Sequence, residues 1–304
     1  MRLDATTDGI RIHTPAKVNL FLEVLGKRAD GYHELETVML SIGLYDTLRF
    51  SLPTIDDGNI RLRLDKPKAG RLAKLDLGSI PTDGSNLVMR AAELLRATSG
   101  YQGGATMRLT KRIPAAAGLG GGSSDAAATL VGLNRLWGLR LPAEKLHELA
   151  AQLGSDVNFF LDSHPLAICR GRGEQIEPIP LHRRWHLVIA RPDSGLSTAD
   201  VFRRWIRSSE LRSGLEFLEK IRKGHLGEIG RALHNSLQPP AAALNPEVAE
   251  ILEDLRGEWT VGSLMSGSGS ACFALCHNRA QAVTVAAKMR ARLAVRIDVV
   301  ESAV

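Results

Sequence analysis

A short run of small residues is the part of the chain best suited to chemistry. Its members are Pro114, Ala115, Ala116, Ala117, Gly118, Leu119, Gly120, Gly121, Gly122, Ser123 and Ser124. Glycine has no Cβ, so such a run lets a ligand reach the backbone N–H groups. Residues 106–113 predict a strand before the run, and residues 125–137 predict a helix after it, whose N-terminal amides attract anions. The segment predicts a phosphate-binding loop, with charge added by Lys111; the alternative is a turn that only joins strand to helix.

The loop matches neither of two common phosphate-binding motifs. A Walker loop ends in Gly-Lys followed by Ser or Thr, and a dinucleotide-binding loop has a third glycine where Ser123 stands. A second glycine-rich segment, 265–270, precedes the apolar run 271–275. That second pattern is equally typical of a turn leading into a strand and of a ligand contact.

Two charged residues are candidates for phosphoryl transfer to an alcohol, which requires clamped phosphates and a group that accepts the hydroxyl proton. Asp156 lies just after a predicted helix and before an apolar run, so its carboxylate is either a base or a helix cap. Lys17 lies in an apolar stretch, where a lysine either extends to water or stabilises charge on the transferred group. His33, in the Asp-Gly-Tyr-His turn at 30–33, is by itself more typical of a surface histidine.

Length and charge limit the class of protein. The chain has 304 residues, of which 44% are apolar and 24% charged, and we predict two domains, 1–165 and 166–304. The net charge of +6 favours anionic partners. Because the basic residues are scattered along the chain, small polyanions are favoured over nucleic acid.

Cysteine use and hydropathy indicate the compartment. The three cysteines, Cys169, Cys272 and Cys276, favour buried thiols in a reducing compartment over disulfides or a metal site. The first residues lack an apolar signal core, and no run approaches the about 18 apolar residues of a membrane span. We therefore expect a cytoplasmic protein without a membrane partner, and the sequence leaves its oligomeric state open.

The elements that must position these residues are mixed. Strands are predicted over 10–26, 34–50, 106–113, 166–169, 186–191, 271–276 and 295–300. Helices are predicted over 87–98, 125–137, 143–153, 199–207, 213–222, 226–235, 246–256 and 279–292. The mixture predicts an α+β chain.

Three segments, 15–22, 114–124 and 266–271, resemble in order and spacing the motifs of the GHMP kinases. The resemblance covers nearly the whole chain. It implies a two-lobed fold, in which an N-terminal lobe like domain 2 of ribosomal protein S5 binds ATP and carries the catalytic residues. The C-terminal lobe is expected to be ferredoxin-like and to bind substrate. The loop, Lys111 and Asn86 are assigned to ATP, which Mg²⁺ accompanies through ligands that stay open.

Within that family, Asp30-Gly-Tyr-His33 is similar to the branch that acts on a diphosphocytidyl polyol. This similarity implies transfer of the ATP γ-phosphate to the 2-hydroxyl of 4-diphosphocytidyl-2-C-methyl-D-erythritol, in the non-mevalonate route to isoprenoid precursors. Lys17 and Asp156 match the catalytic pair, with Asp156 accepting the hydroxyl proton. The residues implied around the substrate are Asn19, Tyr32, His33, Asp156 and Phe202.

Two positions depart from the family pattern. Asn158 stands where proline is usual, which predicts a less rigid segment around Asp156. Asp125 stands where asparagine is common, and a carboxylate near phosphates is repulsive unless a cation answers it. Neither change removes a catalytic group.

Three other hypotheses remain. A GHMP kinase for homoserine or a mevalonate-type substrate would share the loop but make no use of Tyr32, His33 or Phe202. A nucleotide sensor without catalysis would have no need of Lys17 and Asp156. A basic nucleic-acid binder is indicated only by the charge, and its affinity would fall steeply with salt.

Overall fold

The computed structural model describes residues 1–55, 57–65 and 80–303. Its strands are β1 (Arg2–Thr6), β2 (Gly9–Lys27), β3 (His33–Ser51), β4 (Ile60–Leu64), β5 (Ala105–Thr110), β6 (Leu166–Gly171), β7 (Gln175–Pro178), β8 (His186–Arg191), β9 (His234–Asn235), β10 (Gly262–Met265), β11 (Cys272–Cys276) and β12 (Arg296–Glu301). Its helices are α1 (Leu87–Ser99), α2 (Gly121–Leu136), α3 (Ala143–Leu153), α4 (Val157–Leu161), α5 (Thr198–Arg204), α6 (Gly214–Lys223), α7 (Leu226–Ala232), α8 (Gln238–Leu244), α9 (Pro246–Gly257) and α10 (Arg279–Arg292). The predicted α+β class is confirmed.

The chain divides into two compact units that interleave along the sequence. Unit 1 contains Met1–Ala16, Leu44–Ala115 and Gly120–Ser163, and unit 2 contains Lys17–Gly43, Ala116–Leu119 and His164–Val304. The last change of unit lies close to the predicted boundary at 165, but unit 2 also takes two earlier segments. The reason is strand length: β2 and β3 have 19 residues each, against about 5–6 in a typical strand, so each contributes one part to each unit.

Unit 1 combines the outer parts of the long strands with four helices. β1 pairs with the start of β2, and the end of β3 pairs with β5, both antiparallel, while β4 adds to β5 in parallel. Helices α1 to α4 pack on one another. Helix α2 packs closely because its buried positions are mostly alanine and glycine.

Unit 2 contains the remaining parts of the long strands and a second sheet. The first part of β3 pairs antiparallel with β6, which forms a hairpin with β7, and β9 lies parallel to β2. The second sheet is antiparallel, in the order β10-β11-β8-β12, and packs against α9 and α10. Cys272 and Cys276 lie in its core, and all three cysteines are buried free thiols, as predicted.

No helix in the described ranges is long and apolar enough to cross a membrane.

Candidate functional site

The glycine-rich loop leads directly into helix α2, which begins four residues earlier than the predicted start at 125. Gly121, Gly122, Ser123 and Ser124 therefore form its first turn, preceded by Gly120 at the N-cap with φ of +71°. The first N–H groups of a helix have no partner within the helix, and they carry the positive end of its dipole. The glycines thus place free backbone donors where a phosphate would lie.

The middle of the loop rests on the second glycine-rich segment. The Ala271 amide donates to the Ala117 carbonyl over 3.1 Å, and Ser266 Oγ donates to the Gly118 carbonyl over 2.9 Å. Gly118 has φ of +73°, and a Cβ there would lie 2.0 Å from the Ser266 carbonyl oxygen. Segment 265–270 therefore supports the loop, a role that the sequence left open between turn and ligand contact.

Two residues assigned to ATP have side chains engaged with the protein. The fully buried Ser124 donates its hydroxyl to the Pro15 carbonyl over 2.6 Å and also pairs with Thr14. Asn86 accepts from the Val88 amide over 2.9 Å, which caps α1 as expected. These contacts position the loop and α1, and the Ser124 amide is also engaged, because it donates to the Gly120 carbonyl over 2.9 Å.

Lys111 lies in a buried charge cluster behind the first turn of α2. Its ammonium pairs with Asp46 and, over 2.8 Å, with Asp125. Burial by itself would lower the pKa of Lys111, but the two carboxylates outweigh it and raise this pKa to about 12. Burial also raises the pKa of Asp125, with the Lys111 ammonium opposing the shift and the Asp46 charge adding to it. The carboxylate that departs from the family pattern is thus answered by a cation, and Lys111 contacts carboxylates at the base of the loop.

Lys17 and Asn19 lie on the same face of β2, because alternate strand residues point to the same side. The Lys17 ammonium donates to Asn19 Oδ1 over 2.7 Å, and both residues are buried. The Lys17 amide donates to the Leu119 carbonyl over 3.0 Å, and the Asn19 amide donates to Ser266 Oγ over 3.2 Å. Within unit 2, the predicted lysine and asparagine are therefore tied to the middle of the phosphate loop.

Asp156 occupies the N-cap position of α4 in unit 1. Its side chain makes no capping hydrogen bond, so the structure gives no support to the capping alternative. The following helix is fixed by Asn158, whose Oδ1 lies 3.1 Å from His147 Nδ1 of α3, while His147 Nε2 lies 3.0 Å from Asp162. These hydrogen bonds offset the loss of the rigid proline.

Three aromatic rings of unit 2 surround the turn between β2 and β3. The rings of His33 and Phe202 lie 4.8 Å apart, and Trp205 contacts His33 edge-on at 5.8 Å. Tyr32 is 53% exposed on the same turn. Burial lowers the pKa of His33, with the charge of Lys27 adding, so the ring is neutral at pH 7. Trp205 was missed by the sequence analysis; it directly follows α5, and its amide donates to the Phe202 carbonyl over 3.2 Å.

The residues present fit a nucleotide phosphate better than a protein-held metal. The first backbone N–H groups of α2 have no partner within the helix, and such groups suit an anion. Across residues 1–55, 57–65 and 80–303, no cluster of three His, Cys, Asp or Glu residues is placed to hold a metal ion. Mg²⁺ usually keeps several waters and is bound by substrate phosphates together with one or two carboxylates.

Two family models and a relative of known name match this chain. The GHMP kinases N terminal domain matches residues 86–166, and the GHMP kinases C terminal model matches residues 217–295. The 4-diphosphocytidyl-2-C-methyl-D-erythritol kinase of Pelotomaculum thermopropionicum is 43% identical over 277 residues, which cover 90% of this chain and 92% of that protein.

Solved structures agree as well. A crystal structure of 4-(cytidine 5'-diphospho)-2C-methyl-D-erythritol kinase superposes with a TM-score of 0.76 at 35% identity, over 97% of this chain and all of that one. Homoserine kinase from Cytophaga hutchinsonii has a TM-score of 0.72 at 18% identity, over 100% of this chain and 97% of that one, and shows the fold alone. These matches confirm the predicted two-lobed GHMP kinase fold. The chain therefore belongs to the GHMP kinases and, within them, to the 4-diphosphocytidyl-2-C-methyl-D-erythritol kinases.

Proposed function

We propose that the protein transfers the γ-phosphate of ATP to the 2-hydroxyl of 4-diphosphocytidyl-2-C-methyl-D-erythritol. Family membership supports the reaction class. The observation that carries the substrate is the aromatic group that Phe202 and Trp205 form against His33 of the Asp-Gly-Tyr-His turn. A kinase for a small aliphatic alcohol such as homoserine has no base to stack and no use for this group.

In this proposal the oxygen of the 2-hydroxyl attacks the γ-phosphorus, Asp156 accepts the hydroxyl proton, and ADP leaves. Phosphoryl transfer needs little covalent help from a protein, so positioning and charge stabilisation dominate. Lys17 places a positive charge where negative charge develops on the transferred group. Its hydrogen bond to Asn19 fixes the direction of the ammonium.

The loop holds the phosphates of ATP through backbone N–H groups of the first turn of α2. The hydrogen bonds from Ser266 and Ala271 keep the loop in place without occupying those donors. Mg²⁺ accompanying ATP would supply positive charge to the phosphates. Lys111 acts from behind the helix by holding Asp125 and Asp46.

The cytosine ring lies between Tyr32 and Phe202, and His33 contacts its polar edge. Stacking between a base and an aromatic ring is worth about 1–3 kcal/mol per base. A neutral His33 offers one donor and one acceptor, which suits the mixed edge of cytosine. The partners are thus small anionic molecules, and we propose a cytoplasmic location, where the three buried thiols stay reduced.

The test follows ADP formation with Mg²⁺ and each of three alcohols: the cytidine substrate, homoserine and mevalonate. Turnover confined to the cytidine substrate, and lost in Asp156→Asn, is the expected result. Glu148→Gln is the matched control, because this exposed carboxylate of α3 pairs only at the surface with Lys145. Turnover with homoserine or mevalonate instead would refute the proposed substrate.

A further inference from the structure

Arg172 lies over the ring of Tyr32. The central carbon of its guanidinium is 4.7 Å from the ring centroid, within the range of a cation–π interaction. More than half of the Tyr32 surface is exposed, so the protein encloses this residue only in part. The guanidinium is therefore a main determinant of how this ring is oriented.

The fold brings the two residues together through strand register. Leu35 of β3 pairs with Gly171 of β6. The turn before β3, which carries Tyr32, and the turn after β6, which carries Arg172, consequently lie at the same end of this strand pair. Residues 140 positions apart in the sequence become neighbours, which no local pattern predicts.

The turn that presents Arg172 is held by its own hydrogen bonds. The Arg172 amide donates to Glu174 Oε2 over 2.6 Å, and the Gly173 amide donates to the Arg170 carbonyl over 3.0 Å. Gly171 has φ of +74°, and a Cβ there would lie 2.8 Å from Glu174 Oε1. The base of the Arg172 side chain is thus fixed before any substrate binds.

The turn that presents Tyr32 is held in the same way. The Arg28 amide donates to the Tyr32 carbonyl over 2.8 Å, and the Tyr32 amide donates to Asp30 Oδ1 over 3.0 Å. The hydrogen bond from the Tyr32 amide is the main cause that lowers the pKa of Asp30. The charges of Arg28 and Arg172 lower this pKa further. The backbone of Tyr32 is therefore fixed, and its ring orientation is the freedom that Arg172 removes.

We propose that Arg172 is a positioning residue for substrate recognition: it holds the Tyr32 ring in the orientation that stacks on the cytosine. The inference rests on the proposed function. Its physical basis is preorganisation, because a ring that is already oriented loses less conformational freedom when the base binds. Arg172 acts through Tyr32 and takes no part in phosphoryl transfer.

The test is a double-mutant cycle of Arg172→Met and Tyr32→Leu, read in steady-state kinetics. Arg172→Met should raise KM for the cytidine substrate about two- to fivefold, with kcat and KM for ATP unchanged. In the Tyr32→Leu background the same change should have no further effect, and Arg172→Lys should restore part of the loss. Arg184→Met is the matched control, an exposed arginine of unit 2 that pairs with Glu301.

An equal loss in both backgrounds would mean that Arg172 contacts substrate independently, and would overturn the inference. An unchanged KM in Arg172→Met would also overturn it. Calorimetry with CDP measures binding in the same four proteins without turnover. It therefore tests the positioning of Tyr32 by Arg172 separately from the proposed phosphoryl transfer. The inference predicts that Arg172→Met binds CDP more weakly than wild type. It also predicts that the double variant Tyr32→Leu/Arg172→Met binds CDP as well as Tyr32→Leu does. This pair of results supports the inference even if the wild-type chain phosphorylates none of the tested alcohols.

Discussion

The ammonium of Lys17 donates to Oδ1 of Asn19 over 2.7 Å, and the amide group of Asn19 donates in turn to Thr37 Oγ1 over 2.8 Å. The ammonium can only donate, so the asparagine oxygen must face the lysine and the asparagine nitrogen the threonine. Asn19 therefore aligns Lys17. It is also one of the residues assigned to the substrate. This relationship gives the predicted catalytic lysine a fixed direction.

Replacing Lys17 should abolish most of the activity. Lys17→Met keeps the length of the side chain but removes the charge that stabilises the transferred group, so kcat should fall about 10²–10³-fold. Lys27→Met, at the exposed end of the same strand, should leave kcat unchanged. Steady-state kinetics measures both variants, and a Lys17→Met enzyme with normal kcat would remove this residue from the mechanism.

We predict that ATP binding requires glycine at position 118 both for its positive φ and because there is no room for a Cβ. Gly118→Ala combines a positive φ with a Cβ 2.0 Å from the Ser266 carbonyl oxygen, so the loop must move and KM for ATP should rise about tenfold or more. Gly138→Ala is the control, because φ there is +64° and no other atom lies within 4 Å of the added Cβ. It should lose about 1–2 kcal/mol of stability and keep its KM for ATP. Equal ATP affinity in the two variants would contradict this role of the Gly118 contact.

We expect Asp125 to make the protein less stable as pH rises, which is unusual for a carboxyl group. Its pKa is raised to about 8 in the folded protein, from about 4 in the unfolded chain, so the folded state binds more protons between these values. The free energy of unfolding should therefore fall as pH rises from about 4 to about 8. Asp125→Asn should flatten this dependence and gain stability relative to wild type at pH 8, as measured by urea denaturation.

A normal titration of Asp125 would contradict this prediction. Parallel pH profiles for wild type and Asp125→Asn would show that the carboxyl titrates normally. Lys111 should be charged throughout this range, since its pKa is raised to about 12.

Phe202 should contribute to the affinity for the cytidine substrate and not to that for ATP. Phe202→Leu removes one stacking face, which should raise KM for the cytidine substrate about 5–100-fold. Trp259→Leu is the control, since this ring is 87% exposed. If KM for ATP rises as much as KM for the cytidine substrate, the assignment of Phe202 to cytosine is wrong.

Much of the local structure is predictable from the sequence. The predicted helices at 143–153 and 279–292 match α3 and α10, and the capped helix at 87–98 is α1 to within one residue. These elements have clear apolar stripes or caps, so local preference and packing agree. Helix α8 was not predicted; Pro239 and Pro240 lie in its first turn, where proline fits a helix.

The arrangement of the site is less predictable because it depends on contacts distant in sequence. The loop and Lys17 stand out by residue type, but the support of Gly118 by Ser266 joins positions 148 apart. Lys111 resembles a phosphate ligand beside the loop, and only the fold reveals that Asp46 and Asp125 take its ammonium. Long strands such as β2 likewise give no local sign of where one unit ends and the next begins.

The most direct test of the proposed reaction is the identity of the product. The protein is incubated with ATP, Mg²⁺ and 4-diphosphocytidyl-2-C-methyl-D-erythritol, and ³¹P NMR follows the mixture beside an Asp156→Asn sample. A new phosphomonoester resonance on an intact diphosphocytidyl compound, formed with ADP in equal amounts and absent from the variant, is the predicted result. ADP that accumulates with free phosphate and no new phosphomonoester would contradict transfer to the substrate hydroxyl.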